Sequence, residues 1–521
     1  MKKNLISIVG GGIIGVLEAY YAYKEAQKKG VKPSMIIYEK SDSIASSTNT
    51  AYNIVPSLTI DDILSVVPRG SELAKKLSIN FSQPGGIRID DVEGVNDSEA
   101  ACNFKKAVAV YGNDPQHDDR TLALLTLGRK SMDLWQEMYD EGDEKLKAIL
   151  EASHFHPCRE PKNTLTKQLR DGYRIDLILN VPQAQLRAEK MIAEYEKLGY
   201  EHCALLSPDE VIALDPHLTD FCLEYSILNK KRTWRSDSIA LWRPGGSINT
   251  RVFIPQFYAY LQHLMGQDRF KLQLGKEVVG LEWDGHRIAG LKFNDGAFHK
   301  VPDSHYIFCP GESVGTLPRL GFHEPAYAGF AGASLLMKIP LTPDRIEKYR
   351  DFVHSMEVHS EEIVLAWQAH FKDDHIFLGV GGTKAFYGDK HPHKNEKFAQ
   401  NRAVLQLNLM NQVLPGPISQ ALGYPTHGKA MTAEELSVLE KNGIAERWVG
   451  RRAIVYDGFP TLGALYKSGC KVDNARCTTH MGSGGVSMGP AAVLMSRTSE
   501  QAFSDPFSQK ILLYADSRRK H

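Results

Sequence analysis

Near the start of the chain, Gly10-Gly11-Gly12-Ile13-Ile14-Gly15 spaces its glycines as G-x-G-x-x-G. In that spacing the first glycine permits a tight turn, the second lets the backbone approach a bulky charged group, and the third lets a helix lie close to a strand. An apolar run, Leu5-Ile6-Ser7-Ile8-Val9, leads into the motif, and a second one, Met35-Ile36-Ile37-Tyr38, ends in Glu39. Strand, glycine turn, helix, strand and acid together form a unit suited to a dinucleotide. The helix N-terminus offers unpaired N–H groups to a pyrophosphate. Glu39 is placed to accept hydrogen bonds from a ribose hydroxyl, and its charge would repel the 2′-phosphate of NADP. The motif alone does not separate NAD from FAD.

A second set of reactive types lies toward the other end. Gly450-Arg451-Arg452 is followed by Asp457-Gly458-Phe459-Pro460-Thr461-Leu462-Gly463, then by His480-Met481-Gly482-Ser483-Gly484-Gly485-Val486. An arginine offers a planar fork that matches a carboxylate in two parallel hydrogen bonds. A glycine turn entering a helix can stabilise negative charge that develops during a reaction. His480 is the candidate general base if its ring faces the reacting centre.

The elements that must position these residues can be read along the chain. Arg120 to Tyr139 and Ala184 to Leu198 carry helical spacing, as do Phe253, Phe257, Leu261 and Leu264. Ser207-Pro208-Asp209-Glu210 and Thr432-Ala433-Glu434-Glu435 read as helix starts with capping boxes. Short strands separated by Asp284-Gly285 and Asp295-Gly296 precede a buried-strand run, His305 to Cys309. Ala333 to Ile339, Ile363 to His370 and Ile376 to Val380 suggest an antiparallel sheet, its last hairpin turning at Lys372-Asp373-Asp374. At 521 residues the chain needs more than one structural unit.

Composition excludes some classes. Lys+Arg and Asp+Glu both number 62, so no basic excess marks a nucleic-acid partner. Arg518-Arg519-Lys520 reads as a frayed, solvated end. The cysteines number 7 and never form C-x-x-C, which points to a reducing compartment and no metal site. Lys2-Lys3 and the apolar residues after them lack a cleavage site and are not read as a signal, and no apolar run is long enough to span a membrane. The expected location is the cytoplasm, with peripheral contact to the inner membrane as the alternative.

At this point the residues resemble the FAD-dependent D-amino acid oxidase, glycine oxidase and sarcosine oxidase family. Its members end in G-x-R-P-x-x-x-D-G-x-P-x-[IL]-G; Gly450, Arg452, Asp457, Gly458, Pro460 and Gly463 match it, and Ala453 replaces the usual proline. The resemblance implies a Rossmann-type α/β FAD-binding domain with a central parallel sheet, interrupted by an α+β, antiparallel-sheet substrate domain. The expected division is 1–95, 185–215, 246–320 and 441–521 for FAD, with 96–184, 216–245 and 321–440 for substrate. It implies non-covalent FAD held by Gly10, Gly12, Ile13, Ile14, Gly15, Glu39, Lys40, Ser46, Ser47, Thr48, Val278, Gly311, Gly482, Ser483, Gly484, Gly485 and Val486.

It also implies that Arg452, rather than Arg451, anchors the carboxylate of a small-molecule substrate. Tyr225, Trp234 and Tyr387 are candidate pocket walls. The implied reaction is oxidative deamination of an amino acid or secondary-amine acid, with oxygen or a quinone as electron acceptor. Two alternatives stand beside it: a 2-hydroxy-acid or glycerol-phosphate type dehydrogenase passing electrons to quinone, and a non-catalytic flavin-binding assembly protein. Homo-oligomerisation is left open, and residues 53–183 and 385–440 match nothing specific in the family.

Overall fold

The computed structural model describes residues 5–44, 53–54, 77–79, 87–89, 98–111, 117–153, 155, 173–179, 181–197, 203–214, 223–226, 231–235, 237–244, 246–300, 304–313, 315–349, 353–359, 364–389, 395–482, 484–497 and 506–519. Leu5–Val9 lies inside a six-stranded sheet ordered Phe270–Gln273, Ser34–Tyr38, Leu5–Val9, His305–Phe308, Cys470–Thr479, Thr461–Lys467. Its pairings are parallel up to Cys470–Thr479, which meets Thr461–Lys467 antiparallel. Chain order departs to opposite sides of Leu5–Val9, so the crevice beyond its carboxyl end is a topological switch point where ligands bind in open α/β sheets.

The apolar runs of these strands are continuous because both faces are covered. Ile13–Lys28, Thr250–Met265 and Gly489–Arg497 share a core with Ile8, Met35 and Ile37. Phe253, Phe257 and Leu261 are fully buried, as their spacing predicts. Helices His117–Asp140 and Glu144–Ala152 join the same core through Leu124, Leu127, Trp135 and Leu150, although the expected division places residues 96–184 with the substrate domain. A three-stranded meander, Val278–Asp284, Arg287–Phe293 and Phe298–Lys300, packs on Tyr38, Phe308 and Leu465.

The second sheet has eight strands, ordered Ala445–Val455, Tyr327–Pro340, His375–Gly388, Val364–Lys372, Val353–His359, Tyr173–Ile178, Ile239–Pro244, Ala204–Leu206. It is antiparallel except where Val353–His359 meets Tyr173–Ile178. Ala445–Val455 and Ala204–Leu206 belong here, although residues 185–215 and 441–521 are expected with FAD. The reason is pairing: Ala445–Val455 registers along Tyr327–Met337, and Leu206 is buried in one core with Trp242. The Lys372–His375 hairpin turns through Asp373 and Asp374 at φ 48° and 60°, the paired positive values of a type I′ turn.

Helices Glu396–Val413, Pro415–Leu422 and Ala433–Lys441 cover the sheet face that carries Leu335, Leu378 and Val380. Both expected capping boxes form, at Ser207/Glu210 and Thr432/Glu435. On the opposite face, helix Glu99–Tyr111 sets Phe104 against Phe330 and Phe386.

The frayed end expected at Arg518-Arg519 is instead tied down. Arg519 donates from Nε to Asp457 Oδ2 at 2.9 Å and from Nη2 to Phe459 O at 2.6 Å. Arg120 reaches the same buried carboxylate at 3.3 Å. Two guanidiniums around one buried acid outweigh the entropy of a loose terminus.

The first helix is locked to the end of the fold through Glu18, which is fully buried. Its carboxylate accepts from Arg476 at 2.7 Å, Arg497 at 3.3 Å, Thr478 at 2.8 Å and Ser496 at 2.9 Å. Burial acts to raise this carboxyl, but the Arg476 and Arg497 charges and the hydroxyl bond together hold it below its ordinary value. Its stabilisation is therefore complete above the unfolded value and is lost as pH falls through the depressed folded one. Glu18→Gln should destabilise the fold by about 3–5 kcal/mol, because two half-buried cations lose their buried partner. Thermal unfolding should show a lowered midpoint at neutral pH, with the gap to wild type narrowing in acid.

Candidate functional site

The first glycine turn is fixed by backbone packing. Gly10 N donates to Tyr38 O at 2.8 Å, and its φ is +111°. A Cβ on Gly10 would lie 2.1 Å from Cys309 O, and one on Gly15 would lie 2.0 Å from Gly10 O. Gly12 caps helix Ile13–Lys28 with extended backbone and no side-chain cap, while Ile13 and Ile14 begin the helix with their side chains buried. The helix entrance thus presents backbone N–H groups and a positive dipole end. Glu39 closes the crevice: Oε2 accepts from Gly11 N at 2.7 Å and Oε1 from Ser41 N at 2.9 Å.

Three other expected contacts gather nearby. Lys276 N donates to Glu39 O at 2.8 Å, which brings the buried Val278 close to the acid. Gly311, at φ +57°, follows strand His305–Phe308 and has open space where a side chain would project. Lys40 makes an ion pair with Glu312 at 3.3 Å, spanning the turn after the second strand and the Gly311 loop. Ser46, Ser47, Thr48 and Ser483 lie outside the described residues.

The C-terminal glycine turn packs against the first. A Cβ on Gly485 would lie 3.8 Å from Ile13, and one on Gly489 would lie 3.0 Å from Leu17. Gly484 N donates to Met481 O at 2.8 Å, and Val486 O accepts from Trp135 Nε1 at 3.0 Å. Gly482 N donates to Ala453 O at 3.2 Å, which joins this turn to strand Ala445–Val455 beside Arg452.

Arg451 and Arg452 point to opposite faces of that strand, as its period of two requires. Arg451 is buried and donates to two carbonyls, Glu312 O at 2.9 Å and Asp389 O at 3.0 Å. Burial pulls its guanidinium below its ordinary value, with Glu312 and Asp389 opposing. Arg452, half-buried, pairs across the strand with Phe330 and lays its guanidinium over Gly332, where a Cβ would sit 2.3 Å from Nη1.

His480, the candidate base, has a partner at each ring nitrogen. Its ring is buried; Nδ1 meets Thr461 Oγ1 at 2.9 Å and Nε2 meets Glu324 Oε1 at 2.8 Å. With both nitrogens engaged and φ at +57°, it shapes the backbone entering the glycine turn. Tyr387 is buried on the helix-covered side and accepts from Asn395. Trp234 packs among the substrate-sheet cores, and the Tyr225 side chain lies outside the described residues. Tyr258 was not legible from spacing: it is buried and donates to Gly11 O at 3.3 Å. Burial, then Glu39 and Cys309, push its hydroxyl far above the ordinary value, so it acts as a neutral donor. Among the described residues no helix is long and apolar enough to cross a membrane.

The crevice, the open helix entrance, the adjacent acid and the second glycine turn fit a dinucleotide with a reactive ring. No curated protein sequence matches the chain. Several solved structures share its fold at low identity. Glycine oxidase from Bacillus cereus is 14% identical at TM-score 0.50, covering 100% of this chain and 99% of that one. L-proline dehydrogenase from P. horikoshii is 14% identical at TM-score 0.51, covering 99% and 97%. L-alpha-glycerophosphate oxidase from Mycoplasma pneumoniae, solved with FAD bound, is 12% identical at TM-score 0.52, covering 98% and 95%. Gly15→Ala should yield protein with little flavin, because its Cβ collides with Gly10 O; the flavin-to-protein absorbance ratio measures this, and a normal ratio would refute the close-packed turn. The family profile described as DAO, FAD dependent oxidoreductase, matches residues 6–498, and the chain therefore belongs to that family of FAD-dependent enzymes.

Proposed function

We propose that this enzyme oxidises an amino acid or secondary-amine acid to the imino acid, which water hydrolyses to the oxo acid and the released amine. The reading is carried by Arg452, a half-buried fork on the strand whose next carbonyl, Ala453 O, holds the second glycine turn. Under it, the six-stranded sheet serves FAD and the face of the eight-stranded sheet that bears Arg452 serves the substrate. Gly10, Gly12 and the start of helix Ile13–Lys28 would hold the pyrophosphate, Glu39 the ribose, and Gly482 to Val486 the ring. FAD, bound without a covalent link, supplies the two-electron acceptor.

Arg452 takes the substrate carboxylate in two parallel hydrogen bonds and so fixes the α-carbon against the ring. The α-hydrogen leaves with its electron pair, the nitrogen lone pair forms the C=N bond, and the remaining N–H proton passes to water. An alcohol would need a base for its hydroxyl proton. Both His480 nitrogens are already engaged, by Thr461 and Glu324, and this supports an amine over a 2-hydroxy acid.

Arg452→Ala should retain FAD and raise KM by roughly 100-fold or more, the equivalent of a few kcal/mol for a lost charged pair. Arg451→Ala should leave KM nearly unchanged and lower thermal stability, since it ties the Glu312 loop to the sheet. Steady-state kinetics of both variants test this. Reversed behaviour would exchange the two roles, and unaltered kinetics in Arg452→Ala would remove the carboxylate anchor. Anaerobic flavin bleaching with panels of amino and hydroxy acids tests the substrate class; bleaching by hydroxy acids alone would overturn the amine reading.

A further inference from the structure

Two glycines face each other directly across the strands that carry the site, Gly332 and Gly450. A Cβ on Gly332 would fall 2.3 Å from Arg452 Nη1, and a Cβ on Gly450 would fall 1.7 Å from Trp448 Cη2 and 2.3 Å from Cζ3. Directly paired residues on one face set their Cβ positions about 5 Å apart. The Arg452 guanidinium and the outer edge of the Trp448 ring therefore lie side by side over a single cross-strand pair. Both side chains lean flat along the sheet only because each covers a glycine.

Trp448 is half-buried, so it presents ring surface instead of filling a core. Trp448, Arg452 and Ile454 alternate onto one face of the strand, and Phe330 lies straight across from Arg452. Beside the guanidinium on this face stand an indole, a phenyl and an aliphatic group, with Ser334 across from Trp448 and Glu446 one alternation further along, paired with Arg251. An apolar substrate side chain laid on the indole would lose only unfavourable hydration.

We infer that Trp448 is the specificity wall of the site, and that the substrate is an amino acid with an apolar side chain that rests on the indole while Arg452 holds its carboxylate. This inference rests on the carboxylate reading of Arg452.

The holoenzyme tests it with two carboxylate probes that do not react, acetate and 3-phenylpropanoate, measured by calorimetry, and with kinetics on glycine, leucine and glutamate, the latter two as both enantiomers. Wild type should favour one leucine enantiomer over glycine and over glutamate by about tenfold or more in kcat/KM, the scale of burying one apolar side chain. Trp448→Ala should weaken 3-phenylpropanoate by about tenfold more than acetate and raise KM for leucine with the same bias, while Trp448→Phe should recover most of the loss. Equal weakening of both probes in Trp448→Ala and Trp448→Phe, or a wild-type preference for glutamate, would overturn the inference. Arg452→Ala separates the two readings. If it abolishes binding of both probes while Trp448 variants show no bias, the anchor stands and the wall falls. If it changes neither probe, the carboxylate reading falls with the inference built on it.

Discussion

A carboxylate stripped of water has to be surrounded by charge and hydroxyls or it will not stay ionised, and Glu18 is such a group. It sits on the helix that opens at the glycine turn, and its four partners come from strand Cys470–Thr479 and helix Gly489–Arg497. The first and last parts of the described nucleotide unit are therefore held at a fixed distance. Placement of Gly485 against Ile13 depends on that distance, because Gly485 lies between Thr478 and the helix that carries Arg497. A loosened Glu18 cluster would separate the two glycine turns without touching either one.

Strand Ala445–Val455 has a second organising role. Its backbone belongs to the substrate sheet, while its Arg451 side chain and Ala453 carbonyl hold the Glu312 loop and the Gly482 turn of the nucleotide half. Alternation of side chains along one strand thus sends two adjacent arginines to opposite faces, Arg451 into the scaffold. Asp457, just beyond, performs a similar join for helix His117–Asp140 and the segment around Arg519.

Much of this was legible in the sequence for identifiable reasons. The glycine spacing, Glu39, the capping boxes and the Asp-Gly turns are local rules, and each element forms where its residues say it should. The motif around Arg452 carried the family in the same way. What failed were statements about long-range partners. Whether Ala204–Leu206 pairs with one sheet or another is decided by residues more than 30 positions away, and helix His117–Asp140 shows an apolar stripe without showing what buries it. His480 has the residue type of a base, but its function depends on Thr461 and Glu324, which no local pattern brings together. Arg519 looked solvated because its acid lies 62 residues earlier.

The central strand of the nucleotide sheet, Leu5–Val9, takes one neighbour from the next strand and the other from His305–Phe308, and its helix is clasped by a residue 458 positions downstream. Loop closure over such distances is entropically expensive before any contact repays it, and it makes assembly slow. The fingerprint near the start of the chain is consequently not a portable module. During synthesis its apolar strand edge waits, unpaired and prone to association, until the ribosome has made most of the protein. Recombination that transplants the early segment alone would carry the recognisable motif but leave behind the partners that turn it into a cradle.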